Sequence, residues 1–516
     1  MYPKQVNGIL YGMHSEAVGL VERGSVAFDS SIIPVVLLPP LHEADLTKEA
    51  LQDMLDRAQQ SDDVLTDEFR ARAVFQVPPN SSVSSYTHKV SSLGLFDAAF
   101  RYGSGSIAIT DIPAPYFIQG SDIHQAWRLY EDRVDAFVLP IIPENIKQPS
   151  RFVPLNMFSS DGLCKLVAVP SRLYESPSDS RPLAGKRFTI KDVLDMEGLQ
   201  TTLASRDYVS LYGPATTTAD YVTKLIALGA VIVGKTKTTQ FATGDEWIDV
   251  HMPTNPRGDE YQFPDGSSTG AAVSLAAYSW VDASIGTDSG GSIRGVAACN
   301  GLFSLRSSFG TTSLKGVHIN SRHFDVIGLL DRSISSLWEL ASLTFELKPH
   351  KIFPRRILYP TDFFPHEDAS QQAMVNEFMR ILEDFLDVKH TRITIADEWR
   401  KKPPKEAFGM QLEQFLDKNV FAPLCHDYYA EYSSFQTDFQ ARFNKKPYAG
   451  PTNQLRFDVG KNTTQAEAEQ GWQKQRIFRA WFQANIMTAA EDTLSTAVML
   501  MPYGHGGPQY RDTPDA

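Results

Sequence analysis

The sequence predicts an α/β fold, and the prediction is based mainly on residues 219–233. Residues 219–228 have helical spacing, with Val222 and Leu225 on one face. Gly229 follows at the position where glycine commonly ends a helix, and Val231–Val233 is a short, wholly apolar run typical of a buried strand. A helix joined by glycine to a buried strand is the repeating unit of layered α/β proteins.

Length and composition limit the class of protein. A chain of 516 residues is long enough for two or three domains of about 150 residues, or for one large enzyme domain with additions. The 61 acidic and 49 basic residues leave a net charge of −12, which argues against nonspecific nucleic-acid binding and against a polybasic membrane surface. No window approaches the roughly 18 consecutive apolar residues of a membrane-spanning helix, and the first residues lack a signal-peptide pattern.

The cysteines bear on the compartment and on metal binding. Cys164, Cys299 and Cys425 are odd in number and far apart in the sequence. They fit neither a disulfide framework nor a zinc site. We therefore expect reduced thiols in a cytoplasmic protein without a metal or other cofactor.

Turn-forming residues suggest where the domains divide. A Ser- and Pro-rich loop at 170–182 separates an N-terminal extension domain, residues 1–170, from a second domain, residues 183–516. In the extension, Ile32–Leu38 is typical of a buried strand and Ala44–Ala58 has helical spacing. In the second domain the motifs lie within 183–335. Residues 351–516 are predicted to be mostly helical.

Two Gly- and Ser-rich loops are candidates for the functional site: Asp265–Gly270 (DGSSTG) and Gly286–Arg294 (GTDSGGSIR). They are either ordinary surface turns, in which glycine and serine are common, or loops that hold reacting groups. In the second loop, Gly290 and Gly291 let successive backbone N–H groups converge on one point, as in an oxyanion hole. Ser292 follows directly as a candidate nucleophile, and a serine nucleophile needs a base.

Two other motifs match by letter but lack the required context. Residues 229–236 (GAVIVGKT) match the phosphate-loop pattern, yet the four residues between the glycines favour a strand over a phosphate-wrapping turn. Residues 266–270 (GSSTG) match the nucleophile elbow of α/β-hydrolases, which would make Ser268 the nucleophile and a histidine the base. That elbow requires a strand directly before it, and Phe263-Pro264 stands there instead.

Lys191 is the base that the sequence favours. It ends the run Arg187–Ile190 and precedes the run Val193–Met196. A lone lysine is usually a solvated surface charge, but apolar residues on both sides predict burial. Burial destabilises an ammonium group, and a fall of its pKa from about 10.4 to about 7 corresponds to roughly 4 kcal/mol. A buried Lys191 is therefore expected to act as a neutral base.

Lys191-Asp192, then GSSTG, then GTDSGGSIR, in this order, resemble the amidase signature family. The similarity runs from about Leu183 to Ser333 and includes residues 325–333 (DVIGLLDRS). It implies a mixed β-sheet core flanked by helices, preceded here by an N-terminal α+β extension. Long extensions of this kind resemble those of fungal amidases encoded with secondary-metabolite pathways. The resemblance thus implies a small-molecule amide or ester as substrate, without nucleic-acid or membrane partners, and leaves the oligomeric state open.

The resemblance also implies a Ser–cis-Ser–Lys triad. Ser292 matches the nucleophile, Ser267 the bridging serine that follows a cis peptide bond, and Lys191 the base. Further matches concern the oxyanion hole and the groups that support the loop: Ser289, Gly290 and Gly291 for the hole, and Asp288, Arg294 and Ser268 for structural support. Counting back from Ser292 with the family's usual spacing selects Ser268 instead of Ser267 as the bridging serine, so both assignments stay open here.

Three functions fit this resemblance. The first is an amidase, a hydrolase of carbon–nitrogen bonds other than peptide bonds. The second is acyl transfer to an amine or alcohol through the same triad, and the third is a catalytically inactive amidase-like scaffold. Typical family members continue beyond the late segment Val498–Pro502, so the resemblance leaves open whether the domain is shortened at its C-terminus.

Overall fold

The structure of the chain is a computed structural model. It describes residues 1–22, 31–105, 107, 112–244, 246–345, 347, 352–417, 420–490, 495–504 and 507–511.

Strands and helices alternate irregularly along the chain. The strands are β1 (Tyr2–Val6), β2 (Ile9–Val21), β3 (Ile32–Leu37), β4 (Arg72–Phe75), β5 (Ala98–Gly105), β6 (Ala114–Gln119), β7 (Asp122–Glu131), β8 (Phe137–Pro143), β9 (Phe152–Pro154), β10 (Leu166–Pro170), β11 (Arg187–Lys191), β12 (Val231–Thr236), β13 (Ala283–Asp288), β14 (Phe303–Arg306), β15 (Val326–Asp331), β16 (Arg356–Pro360), β17 (His390–Ile393) and β18 (Ala497–Met499). The α-helices are α1 (Lys48–Ser61), α2 (Asp67–Arg70), α3 (Val83–Ser92), α4 (Arg206–Leu211), α5 (Asp220–Ala227), α6 (Thr269–Ala277), α7 (Arg294–Cys299), α8 (Ile334–Thr344), α9 (Ala369–Leu386), α10 (Ile395–Lys401), α11 (Leu412–Leu416), α12 (Phe421–Phe443), α13 (Pro451–Asn462) and α14 (Gln465–Asn485).

The central sheet has seven strands in the order β14-β15-β13-β11-β12-β8-β9. Strand β11 lies parallel to β12 and to β13, whereas β15 and β8 run antiparallel to their neighbours. Successive strand residues point to opposite faces, so Ile232 packs with α5, α8 and α12, and Val233 packs with α6 and α7. This mixed sheet, covered by helices on both faces, confirms the predicted α/β fold.

The predicted helix stop at Gly229 is present. Helix α5 ends at Ala227, and Gly229 has a φ of +98°. A Cβ atom at this position would lie 2.8 Å from the backbone nitrogen of Ala184. Both the left-handed backbone and the close approach require glycine here, and together they turn the chain directly into β12.

The N-terminal part contains an eight-stranded sheet in the order β1-β2-β5-β4-β3-β6-β7-β10. Strand β2 also pairs with β7, which closes six of the strands into a ring. Helices α1 to α3 pack against this sheet through Leu51, Leu55, Phe69 and Tyr86. The strand and helix predicted at 32–38 and 44–58 correspond to β3 and α1.

The chain enters the central sheet before the loop at 170–182. Strands β8 and β9 pair at its edge, with Pro140 opposite Gly234, and β10 then returns to the first sheet. The N-terminal 170 residues therefore supply two strands of the central sheet. The division into domains 1–170 and 183–516 stays a prediction.

The last third of the described chain is mainly helical, around a small parallel sheet in the order β17-β16-β18. Trp481 on α14 is buried in this packing, whereas Trp472 of the same helix is buried against His323, with ring centroids 4.0 Å apart. Among the described residues, no helix is both long enough and apolar enough to cross a membrane.

A buried ion pair joins the two large sheets. Arg187 at the start of β11 is fully buried and donates two hydrogen bonds to the carboxylate of Asp63, at 2.9 and 2.7 Å. It also donates to the carbonyl of Pro170 at 2.6 Å. Tyr130 donates to the same carboxylate at 2.7 Å. The guanidinium group thus ties the central sheet to the N-terminal part.

We expect Asp63→Ala to lower the free energy of unfolding by about 3 kcal/mol, because it removes both hydrogen bonds from buried Arg187 to this carboxylate and leaves only Asp62, 3.7 Å away, as a counter-ion. Urea unfolding followed by tryptophan fluorescence measures this. The control is Asp53→Ala, whose pair with Arg57 is exposed on α1 and should contribute less than about 1 kcal/mol. Equal losses in the two variants would contradict the structural role given to Arg187.

Candidate active site

Two neighbouring parallel strands bring the candidate residues to one edge of the central sheet. Strand β11 ends at Lys191, and the adjacent β13 ends at Thr287 and Asp288. Loops that leave the carboxyl ends of parallel strands meet at the same edge of a sheet. The loop containing Ser292 therefore begins beside Lys191, and the loop containing Ser267, which precedes α6, is held there by the hydrogen bonds of Ser268 to Thr287 and Ser292.

Lys191 is fully buried and contacts two hydroxyl groups. Its Nζ lies 2.8 Å from Oγ of Ser267 and donates to Oγ1 of Thr287 at 3.1 Å. Burial lowers the pKa of Lys191 to about 7, while the carboxylates of Asp325 and Asp288 act in the opposite direction. No carboxylate among the described residues forms an ion pair with this amine. The neutral form of Lys191 is therefore well populated near pH 7.

The two adjacent serines, Ser267 and Ser268, have different partners. Ser267 follows a cis peptide bond after Gly266 and faces Lys191. The hydroxyl of Ser268 instead donates to the backbone carbonyl of Thr287 at 3.1 Å. Of the two serines that the sequence left open, Ser267 is the one in contact with the lysine, and Ser268 fastens its loop to β13.

Ser292 lies beside this pair without a hydroxyl contact. The backbone N–H of Ser268 donates to the carbonyl of Ser292 at 3.3 Å, which holds the two loops together. Ser292 is partly buried, and within the described part of the chain its hydroxyl makes no hydrogen bond. The structure thus places Lys191 and Ser267 in contact and Ser292 on the adjoining loop.

The carboxylate of Asp288 organises the Ser292 loop. It accepts hydrogen bonds from the backbone N–H groups of Gly291, at 2.9 Å, and of Ile293, at 3.1 Å. Arg294 makes a bidentate pair with it at 3.1 and 3.0 Å, and Arg306 adds a contact at 3.1 Å. These hydrogen bonds outweigh burial and hold the pKa of Asp288 below its usual range. Asp288 therefore binds the backbone of the Ser292 loop, and Arg294 binds Asp288. These contacts agree with the structural role expected for both residues.

The predicted oxyanion hole is only partly free in this arrangement. The N–H of Gly291 points to Asp288, so Gly291 can bind a substrate oxygen only after that hydrogen bond breaks. The N–H groups of Gly290 and Ser292 donate to no described residue. Gly291 has a φ of +149°, and a Cβ atom there would lie 2.8 Å from the hydroxyl of Tyr503. Both features explain why glycine occupies this position.

Several residues around the site were not predicted from the sequence. Thr287 contacts Lys191 from within the GTDSGGSIR motif itself, and Asp325 belongs to the later DVIGLLDRS segment. Burial raises the pKa of Asp325, and its carboxylate accepts the N–H of Asn320 at 2.6 Å. Arg306 and Tyr503 come from segments without a recognisable motif, and only the fold shows that they reach the loop.

We expect the stability contributed by Lys191 to depend on pH. The pKa of the folded lysine, about 7, lies below the 10.5 of an exposed lysine, so between these values the unfolded chain binds more protons. Stability then rises with pH by up to about 1.4 kcal/mol per pH unit. From pH 7.5 to 9.5 the parent should therefore gain about 2 kcal/mol relative to Lys191→Met.

Urea unfolding of both proteins at the two pH values measures this gain. Lys186→Met is the control, because Lys186 lies near the surface and pairs with Glu339. A difference between parent and Lys191→Met that does not change with pH would contradict the neutral amine.

Comparison with known proteins identifies the segment that carries this site. A family model described as Amidase matches residues 170–375. Amidase 1 of Oryza sativa subsp. japonica is 36% identical over 192 residues, which cover 36% of this chain and 43% of the relative. Amidase 1 of Arabidopsis thaliana is 35% identical over 213 residues, which cover 39% of this chain and 48% of that protein. The chain spans less than half the length of these relatives.

A solved structure titled as an amidase superimposes with a TM-score of 0.49 at 20% identity, over 64% of this chain and 73% of that one. Residues 170–375 contain Lys191, both serines of the first loop and the whole Ser292 loop. Through this segment, the chain is similar to proteins of the amidase family.

Proposed function

We propose that this protein hydrolyses an amide or ester bond of a small molecule through an acyl-enzyme formed on Ser292. The observation that supports this most directly is the buried Lys191 amine, 2.8 Å from the hydroxyl of Ser267. An amine with a pKa near 7, in contact with a serine on the loop next to a glycine-rich turn, is a base placed to activate a nucleophile.

The proton relay starts at the lysine. Neutral Lys191 accepts the hydroxyl proton of Ser267 through its nitrogen lone pair, and Ser267 in turn accepts the proton of Ser292. A pKa of about 7 makes roughly half of the amine neutral at pH 7. A lysine with the ordinary pKa of about 10.4 would be neutral in fewer than about one molecule in a thousand. The hydrogen bond from Lys191 to Thr287 keeps the amine oriented during the transfer.

The Ser292 oxygen then attacks the substrate carbonyl, and the negative charge that develops needs donors. In our proposal these are backbone N–H groups of Ser289, Gly290 and Gly291, with Gly291 released from Asp288 as the substrate binds. Such donors typically contribute a factor of about 10² to 10³ in kcat each. Asp288, held by Arg294 and Arg306, keeps the loop in shape throughout.

Breakdown of the tetrahedral intermediate reverses the relay. The proton held by Lys191 passes through Ser267 to the leaving amine or alcohol, which departs and leaves the acyl group on Ser292. Water next gives up a proton along the same path and attacks the acyl carbonyl. Release of the carboxylic acid restores the Ser292 hydroxyl and the neutral lysine, so one base serves both half-reactions.

A fluorophosphonate probe tests the nucleophile. We expect the parent to gain the mass of one probe, Ser292→Ala to gain none, and Ser84→Ala, a control at an exposed serine, to react like the parent. Ser267→Ala and Lys191→Met should react roughly 10²-fold more slowly, because each interrupts proton transfer. Intact-mass spectrometry over time gives all of these values.

Labelling of Ser292→Ala at the parent rate would overturn the assignment of the nucleophile. A folded parent that takes up no probe would favour the inactive scaffold.

Incubation of 4-nitroacetanilide with and without hydroxylamine separates the remaining two functions, hydrolysis and acyl transfer. Acetate alone indicates hydrolysis, whereas acetohydroxamate as the main product indicates acyl transfer.

A further inference from the structure

A cavity of about 450 Å³ lies between the N-terminal sheet and the edge of the central sheet. Its walls come from β6 and β7 of the first sheet, from the β8–β9 hairpin, from the loop at 170–182 and from the start of β12. Small-molecule sites in proteins commonly enclose about 300 to 1,000 Å³ and often lie where two layers of a protein meet. The size and position of this cavity fit such a site.

The cavity is separate from the candidate active site. It touches Gly185 and Val231, next to the amino ends of β11 and β12. Lys191 lies at the opposite end of β11, four residues beyond Arg187, which corresponds to about 13 Å along the strand. A molecule in this cavity would therefore be distant from the reacting groups, and the inference does not depend on the proposed function.

The walls are mainly aromatic and aliphatic. Tyr116, Trp127, Phe152 and Tyr174 line the cavity together with prolines and aliphatic side chains. The rings of Tyr116 and Tyr174 are 5.1 Å apart and inclined at 49°. Such surfaces favour a planar apolar molecule that can lie against the rings.

Two polar groups of the wall have unused hydrogen-bonding capacity. Tyr116 is only 3% exposed, yet its hydroxyl has no hydrogen-bond partner among the described residues. The carbonyl oxygen of Gln125 accepts the indole N–H of Trp127 at 3.1 Å, which leaves the side-chain amide nitrogen without a partner in the described structure. A hydroxyl group that borders a cavity without a protein partner can bind a ligand or water there. Both groups are able to donate to an acceptor oxygen.

The charged groups of the wall are already paired. Arg181 forms a bidentate ion pair with Glu175, and Lys147 lies 3.7 Å from Glu16. The Tyr174 hydroxyl lies 2.6 and 2.8 Å from the carbonyl oxygens of Pro115 and Ala126, so it can donate to either, and it accepts the N–H of Ala126 at 2.8 Å. Because these pairs leave no net charge on the wall, a charged ligand would lose its hydration without gaining a counter-ion. The chemistry of the wall therefore selects a neutral molecule.

We propose that this cavity is a binding site for a neutral, planar aromatic molecule that carries a carbonyl oxygen. The rings of Tyr116, Trp127 and Tyr174 contact its faces, and the Tyr116 hydroxyl and the Gln125 amide donate to its oxygen. A molecule bound there touches both sheets and the hairpin that connects them, so it stabilises the arrangement of the N-terminal part on the central sheet.

The naphthyl ketone prodan is a probe of this class, and its emission moves to shorter wavelength in apolar surroundings. We expect the full chain to bind one prodan molecule per protein with a saturable shift. Tyr116→Phe, which removes one hydrogen bond, should raise Kd about five- to tenfold. Ile146→Trp, which fills the cavity from the hairpin side, should abolish the saturable shift. Circular dichroism verifies that both variants are folded.

Two controls separate this site from other surfaces. Tyr2→Phe removes an exposed hydroxyl and should leave Kd unchanged, and Ser292→Ala should bind prodan like the parent. The proposal is overturned if the parent shows no saturable shift, if Tyr116→Phe and Ile146→Trp both bind like the parent, or if Ser292→Ala alone loses binding. In the last case the probe occupies the candidate active site.

Discussion

The candidate site depends on an amine that is buried without a carboxylate in contact. Lys191 and Lys235 lie on adjacent parallel strands, and both are fully buried. Lys235 forms an ion pair with Asp192 at 2.8 Å and donates to Thr201 at 2.8 Å. The carboxylate that follows Lys191 in the sequence is thus used by the neighbouring lysine. Lys191 is left with hydroxyl partners only, and burial then favours its neutral form.

A second constraint is the single carboxylate that shapes the Ser292 loop. Asp288 joins backbone N–H groups on one side to two guanidinium groups on the other. Loss of this carboxylate would leave Arg294 and Arg306 facing each other and free the loop. The same carboxylate also accepts the N–H of Gly291. In our proposal this hydrogen bond must break before the N–H of Gly291 can donate to a substrate oxygen.

The sequence predicted those parts of the site that lie within local motifs. The burial of Lys191 follows from the apolar runs on both sides of it, whereas its proximity to Ser267 was implied only by the resemblance of the ordered motifs. Arg306 and Tyr503 were not predictable, because each reaches the loop through long-range packing of a segment without a pattern. Helix α12 lies in the segment that was predicted to be mostly helical, but its packing was not predicted: its aromatic residues lie in the core, where Tyr432 contacts Phe241. The buried residues Tyr428, Tyr432, Phe435 and Phe439 have helical spacing, which predicts a buried face but not the element that covers it.

The most direct test of this account is the rate of fluorophosphonate labelling of the parent protein as a function of pH. If neutral Lys191 activates the nucleophile, the second-order rate constant rises about tenfold per pH unit below pH 7 and is constant above it, with an inflection near the pKa of about 7. A rate that continues to rise until about pH 10, as for an exposed lysine, would contradict the buried neutral base. So would a rate that is independent of pH between 5 and 10.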